Sequence, residues 1–191
     1  MQDHEVQLGD EHLLLRAFKP GDAEAIYEAV CESKAELARW LPWCHADYSI
    51  ADTQEFLNQR SEAFAKQGEH AFAIIERHGN RFVGATGINQ IDRGTCRANL
   101  GYWLRTSATG RGYATRCTRL VAQWAFKELG LQRIEIVAAV GNVASQRVAT
   151  RAGATREGIA RNRLRHGQKQ LDAVVFSLVP ADFDSPERKL P

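Results

Sequence analysis

Between residues 106 and 117 the chain reads TSATGRGYATRC. An apolar run, residues 100–104, precedes this stretch, and Tyr113, Cys117, Leu120, Val121 and Trp124 follow it at helical spacing. A strand is therefore delivered through Gly110-Arg111-Gly112 into the first turn of a helix. Such a junction leaves backbone N–H groups without intrahelical partners, aligned with the positive end of the helix dipole. With no side chains at 110 and 112, a phosphate can approach that backbone closely, and Arg105 and Arg111 add positive charge. A tight turn alone is the structural alternative for the same glycines.

The rest of the chain supplies the frame. LLLRAF (13–18) reads as a strand, and after Lys19-Pro20-Gly21 the Asp22 carboxylate can cap a helix carrying Ile26, Tyr27, Val30 and Cys31. Ser49 to Asp52 resembles a capping box for a second helix through Phe56, Leu57 and Phe64. HAFAIIE (70–76) and RFVGATGIN (81–89) form a hairpin across His78-Gly79-Asn80, and RANLGYWL (97–104) is a further strand. The helix from Gly112 turns Arg116, Arg119, Gln123 and Lys127 outward and stops near Gly130. Then come the strand RIEIVAAV (133–140), a short helix from Asn142 to Gly153, and strands near 155–163 and 171–179. This order predicts an α/β chain with a mixed sheet and helices on both faces. With 191 residues, no repeat and no linker composition, residues 1–191 read as a single domain.

Several function classes are disfavoured. A formal charge of +2 gives no general electrostatic grip on nucleic acid, so DNA is not expected as a partner. No apolar run approaches the roughly 20 residues of a membrane helix, and MQDHEVQLGDEH lacks the basic start and apolar core of a signal peptide. No membrane association and a cytoplasmic location are expected. Cys31, Cys44, Cys96 and Cys117 show no CxxC spacing and read as reduced thiols. The six histidines (His4, His12, His45, His70, His78, His166) show no HxH, HxxxH or HExxH pairing, so no metal is expected. The Walker pattern fails for want of a lysine after the second glycine. A dinucleotide fingerprint fails because Thr115 holds the third glycine position and Glu135 lies inside a strand. A pyrophosphate with a long flexible arm remains.

From 98 to 179, NLGYWLRTSATGRGYAT and GLQRIEIVAAVGNVASQRVATRAGATREG resemble the GNAT superfamily of acetyl-CoA-dependent N-acetyltransferases. Within it they resemble the RimJ/RimL-like branch, which acetylates ribosomal-protein N-termini; LLLRAFKPGDAEAIYEAV and ELARWLPW look like that branch too. Gly110, Arg111, Gly112, Tyr113 and Ala114 match the superfamily's pyrophosphate-binding motif, with Ser107 where a Gln or Arg is usual. The resemblance implies a mostly antiparallel sheet of about six to seven strands and acetyl-CoA as co-substrate. It also implies a bulge in the strand ending at Leu104, which splays from the strand ending near Val140 to admit the pantetheine arm. A backbone N–H at Leu104 or its neighbour would then polarise the thioester, with Asn142 and Ser145 beside the sulfur.

Two departures from the family pattern bear on the chemistry. Ala149 stands where many members have the tyrosine that protonates the thiolate, which leaves Ser145 as the proposed donor. Asn99 replaces the usual basic glutamate, with His70, His45 and Asp172 as relay candidates. An α-amine, with a pKa near 8 against about 10.4 for lysine, needs the least help from a base. The structural readings are that Asn142 is an N-cap and Ser145 a first-turn residue bonded to local backbone.

Trp40, Trp43 and Tyr48 lie in the loop expected on the substrate side, to grip a peptide or to cap the core. From 147 to 169 seven basic residues face Glu157 alone: Arg147 and Arg151, on one helix face, suggest contact to the CoA 3′-phosphate, and Arg156, Arg161, Arg163, Arg165 and Lys169 suggest an acidic substrate or ribosomal RNA, with a solvated face as the structural alternative. The expected reaction is acetyl transfer to a primary amine, on a protein N-terminus (a ribosomal protein included) or a small molecule, by direct attack in a ternary complex. The alternatives are a catalytically weak acyl-CoA-binding module of the same fold and a nucleotide-binding oxidoreductase. No residue pattern sets the oligomeric state, and a homodimer stays open.

Overall fold

The structure, a computed structural model, describes residues 6–65 and 69–184, without the side chains of 60–65. His4 and the Phe64 side chain lie outside the described residues. The elements are β1 (Gln7–Gly9), β2 (Leu13–Arg16), α1 (Ala23–Leu37), α2 (Ile50–Ala65), β3 (His70–Glu76), β4 (Arg81–Asp92) and β5 (Arg97–Leu104). They continue with α3 (Tyr113–Glu128), β6 (Arg133–Ala139), α4 (Val143–Arg151), β7 (Thr155–His166) and β8 (Lys169–Leu178). The strands form one sheet in the order β1-β2-β3-β4-β5-β6-β8-β7, with β5/β6 the parallel pair in an otherwise antiparallel array. Among the described residues the sheet has eight strands, more than the expected six to seven. The addition is β1, three residues on the sheet edge without a buried face, so no apolar alternation announces it.

Side-chain alternation along β3 builds a core on each face. Phe72 and Ile74 join Leu13, Leu15, Leu100, Val121 and Trp124 beneath α3, while Ala73 and Ile75 join Ile26, Val30 and Phe82 beneath α1. The buried face of α1 is Ile26, Ala29, Val30, Ser33 and Leu37. Cys31, expected on that face, is exposed, because small Ala29 and Ser33 continue the stripe at i+3 and i+7. Asp22 does not cap α1 through its side chain. Its carboxylate accepts Lys19 N–H at 2.8 Å and takes both Arg16 Nη atoms at 2.7 and 2.8 Å. The second expected cap forms: Asp52 accepts the N–H and hydroxyl of Ser49, each at 2.7 Å.

One feature of the sheet creates the site. β5 and β6 pair only over Arg97↔Arg133, Ala98↔Ile134 and Asn99↔Glu135. Beyond that point β5 stays with β4 and β6 stays with β8, so the two strands part. The splay expected between 104 and 140 is present, but the bulge expected on β5 is not. Its register with β4 is unbroken from Asn99 to Leu104, and the shifts fall on β4, at Phe82–Gly84 against β3 and at 90–91 against β5. Gln90, at φ 51°, absorbs part of the second shift. Each splayed strand simply keeps its other neighbour.

Candidate active site

Both glycines of the β5–α3 junction lie in the left-handed region, Gly110 at φ 77° and Gly112 at φ 78°. That conformation alone accounts for glycine at both positions. A methyl group on either would meet no protein atom within 4 Å, so the space above the turn is open. Arg116 N–H donates to Gly112 O at 3.0 Å, which leaves the N–H groups of Tyr113, Ala114 and Thr115 ahead of the first α-helical bond of α3. The turn therefore has the bare backbone and unclaimed donors that a pyrophosphate requires. Arg111 flanks it, half-exposed, with Nη1 3.0 Å from Glu76 Oε1, an oxygen that also accepts the Tyr113 hydroxyl.

Arg105 does not contribute charge there. It is only 3% exposed, donates Nε to Glu32 at 2.8 Å and Nη2 to Glu28 at 2.7 Å, and contacts Glu32 a second time through Nη2. Its hydrogen bonds, with Ser107 N–H, hold the Glu32 carboxyl down at about 2. Thr106 N–H to Ser33 Oγ and Ser107 N–H to Glu32, both 2.8 Å, tie the junction to α1. Ser107 Oγ accepts from Arg81 at 3.1 Å. The arginine predicted to meet phosphate instead fixes the loop that presents the glycines.

The splayed part of β5 faces the slot with alternate peptide groups. Arg105 N–H donates to Val83 O at 2.9 Å, which makes 105/83 a hydrogen-bonded pair and Leu104/Gly84 a non-bonded one. The peptide groups of Leu104 and Tyr102 thus point away from β4, into the gap. Across it, at the start of α4, Asn142 Oδ1 accepts Ser145 N–H at 3.0 Å, the predicted N-cap. Tyr102 reaches over from β5: its hydroxyl donates to Ser145 O at 3.0 Å and lies 3.1 Å from Ser145 Oγ. Burial pushes the Tyr102 phenol well above its usual range, so it stays protonated. Sequence reasoning passed over Tyr102; its only signal was a hydroxyl in the apolar run 100–104, and its partner lies 43 residues away.

The other candidates separate. Ala149 is fully buried and Asn99 donates to Asn89 Oδ1 at 2.9 Å. Glu135, the β6 neighbour of Asn99, is tied to Arg133, which also grips Glu157 with two contacts of 2.6 Å. Asp172 accepts Asn162 N–H at 2.8 Å within the β7–β8 hairpin. His70 is buried edge-on against Trp124, with ring centroids 5.1 Å apart. His45 lies 3.4 Å from Asp52 and half-exposed. Among the described residues no three His, Cys, Asp or Glu side chains gather as a metal would require, and no helix is long and apolar enough to cross a membrane.

On the α1/α2 side of the sheet a cleft of about 660 Å³ opens between the α1–α2 connection, α2, and strands β3 to β5. Trp43, Tyr48, Phe56 and Trp103 supply its aromatic walls, and Tyr102 belongs to its lining as well as to the slot. The aromatic loop divides as a result. Trp43 is 40% exposed at the cleft with its ring 5.8 Å from Trp103, whereas Trp40 packs against Gly141. Arg147 and Arg151 on α4, and Arg156, Arg161, Arg163, Arg165 and Lys169 on the β7–β8 hairpin, are all exposed.

Residues 12–155 match the sequence profile of the acetyltransferase (GNAT) domain. The chain belongs to the GNAT acetyltransferase family. As a GNAT protein of the RimJ/RimL-like kind it is an N-acetyltransferase, with relatives similar over most of their length. It is 29% identical over 177 residues, 92% of this chain and 95% of the other, to the Bacillus subtilis protein named "Putative ribosomal N-acetyltransferase YdaF". It is 26% identical over 148 residues, 78% of this chain and 82% of the other, to the ribosomal-protein-serine acetyltransferase of Escherichia coli. Mycobacterium smegmatis RimJ, solved in complex with CoA-disulfide, shares the GNAT fold at a TM-score of 0.84. That match has 20% identity and covers 94% of this chain and 90% of RimJ.

Proposed function

We propose that residues 1–191 form one acetyltransferase domain that transfers the acetyl group of acetyl-CoA to a primary amine by direct attack in a ternary complex. The observation that carries this reading is the parting of β5 and β6 after Asn99 and Glu135. Both chains run on from the parted ends into helix N-termini, β5 into the glycine turn of α3 and β6 into Asn142 and Ser145 of α4. Ligands bind at such carboxyl-terminal openings between diverging strands.

In this reading the backbone of residues 110–114 holds the pyrophosphate, flanked by Arg111, and the free edges of β5 and β6 bind the amide-rich arm as a strand would. Leu104 N–H, pointing into the slot, polarises the thioester carbonyl. The amine enters from the aromatic cleft and its nitrogen bonds to the carbonyl carbon while the C–S bond breaks. Ser145, held in place by Asn142 at its N–H and by Tyr102 at its hydroxyl and carbonyl, hands its proton to the departing thiolate and takes back the surplus proton of the newly acylated nitrogen, so that the products are the neutral amide and the free thiol. With Asn99 bonded to Asn89 and Glu135 tied to Arg133, neither residue at the parting of the strands serves as a base, and an α-amine suits the site best. The names of the relatives bring ribosomal-protein N-termini into the acceptor class.

Thermal unfolding with saturating acetyl-CoA, against NADH and ATP, tests the donor. A ligand at 100 times its Kd adds about 2.7 kcal/mol, a shift of roughly 5 to 10 °C for a domain of this size. Release of free CoA thiol in the presence of an amine panel tests the transfer. No shift with acetyl-CoA, or no amine-dependent thiol release, overturns the reading.

A further inference from the structure

We infer that the α3/α4 side of the β7–β8 hairpin binds double-helical RNA, through arginines on β7 and α4 that grip the phosphate backbone without reading its sequence. This surface lies outside the proposed transferase site and does not depend on it.

Pairing register shows where the arginines stand. Both register shifts of the hairpin fall on β7, so β8 alternates regularly and buries Val174, Phe176 and Leu178 in the core beneath α3. Residues directly opposite on antiparallel strands share a face. Arg156, opposite Phe176, and Ile159, opposite Val174, therefore project to the α3 side, as does Arg165, opposite Gln170. Six residues of β8 separate Phe176 from Gln170, which puts Arg156 and Arg165 about 20 Å apart along the strand at roughly 3.3 Å per residue. Arg161 and Arg163 lie between them, exposed, in the bulged stretch between Ala160 and Leu164. The helix α4 packs on the same side through buried Ala149 and exposes Arg147 and Arg151, one turn apart.

These six guanidinium groups are free to meet an outside anion. None of them makes an ion pair among the described residues. The hairpin strands contain two acids. Glu157 is held by Arg133 through two contacts of 2.6 Å and by the Ser177 hydroxyl at 2.7 Å, on the opposite side of the sheet from Phe176. Asp172 shares the α3 side and accepts Asn162 N–H at 2.8 Å. Six arginines against one carboxylate make a strong local field on a chain whose formal charge is only +2.

The side chains select the partner. Guanidinium forks match phosphate oxygens with paired donors. A stable protein interface needs an aromatic or large apolar anchor at its centre, and β7 and α4 carry no Phe, Tyr or Trp. Single-stranded nucleic acid needs aromatic platforms for its unstacked bases, and the same lack counts against it. The backbone of a duplex needs charge alone. Exposed Thr155, Asn162, Gln168 and Gln170 stand among the arginines and supply hydroxyl and amide groups for the 2′-hydroxyls that line the wide minor groove of duplex RNA. The aromatic cleft opens on the α1/α2 side, so an acceptor seated there leaves this surface clear.

The test is fluorescence anisotropy of the full chain with a labelled RNA duplex of about 16 base pairs, the span of a typical duplex-RNA-binding domain. A DNA duplex of the same sequence, a single-stranded RNA and polyglutamate serve as comparisons. The expected Kd for duplex RNA is on the order of 1 to 100 μM near physiological salt, with a slope of log K against log[salt] of about −5 for six neutralised phosphates. The comparison ligands bind at least about threefold more weakly. Arg161→Gln with Arg163→Gln flattens the slope by about two and weakens binding of every duplex RNA sequence alike, with the unfolding temperature retained. Arg156→Gln with Arg165→Gln does the same. Saturating CoA leaves RNA bound. Four results overturn the inference. They are no binding at low salt, binding that both double variants leave unmoved, polyglutamate, DNA or single-stranded RNA bound as tightly as duplex RNA, and abolition of RNA binding by CoA, which would assign the arginines to the donor's 3′-phosphate. None of the four bears on acetyl-CoA-dependent thiol release, so the transferase reading is tested separately.

Discussion

The hydroxyl of Tyr102 joins β5 to α4 across the gap where β5 and β6 have parted, 3.0 Å from Ser145 O and 3.1 Å from Ser145 Oγ. The only serine at the start of α4 that can serve the leaving thiolate is thereby held from two sides, by Asn142 through its N–H and by Tyr102 through its oxygens. A residue held only for helix capping would need the first of these contacts and not the second.

Ser145→Ala is expected to lower kcat about 10- to 100-fold with little change in the KM for acetyl-CoA, the range of a lost proton donor. Tyr102→Phe keeps the ring and removes the hydroxyl, so its defect is smaller, roughly three- to tenfold, and lies in kcat. Both defects shrink with an acyl thioester whose leaving thiol is more acidic, since that thiolate needs less protonation. A purely structural role would give equal losses for all leaving groups, and an unaltered kcat in Ser145→Ala would make the serine a first-turn residue and nothing more.

Gly112→Val tests the cradle. The left-handed φ of 78° costs a β-branched residue about 1 to 2 kcal/mol, which the fold can bear because nothing protein-borne occupies the space above. The expected result is a cooperative unfolding transition a few degrees lower and an acetyl-CoA KM raised more than tenfold. Unchanged acetyl-CoA affinity in the folded variant removes the loop from the binding site.

The strand-to-helix junction was legible because period and turn residues fall within short windows, whereas the parting of β5 and β6 came only with the family resemblance, since no local spacing announces it. What was not legible depended on distant partners. Arg105 reads as a phosphate contact two residues before Ser107, and only the packing of α1 against the loop reveals Glu28 and Glu32 waiting for it. Tyr102 is one ring in an apolar strand until α4 is placed beside it. The edge strand β1 and the shifts on β4 follow from pairing register, which no local residue type dictates.

Replacing Arg105 by leucine leaves Glu32 without its main partner and is expected to cost about 3 kcal/mol, the scale of a broken buried pair. A pH series of thermal unfolding separates the pair from simple packing. The Glu32 carboxyl sits at about 2 in the folded protein against an ordinary 4.5, so its contribution is complete above 4.5 and is lost as pH falls from there toward 2. The difference in stability between the original chain and Arg105→Leu should therefore narrow across that window. A gap that stays constant between pH 5 and pH 2.5 would mean the arginine acts through its packing alone.

The pH dependence of transfer follows from the same kind of commitment. Asn99 is engaged by Asn89 and Glu135 by Arg133, so neither serves as a base at the parting of the strands. The enzyme then depends on the fraction of acceptor that is already neutral, roughly a third for an α-amine at pH 7.5 and about a thousandth for an unperturbed lysine. The kcat/KM should rise tenfold per pH unit and level off at the pKa of whichever amine is supplied, near 8 for a peptide N-terminus and above 9 for an alkylamine. Two acceptors with different pKa values give two displaced profiles. A single profile, levelling at one pH for both, would instead assign the titration to a group on the enzyme.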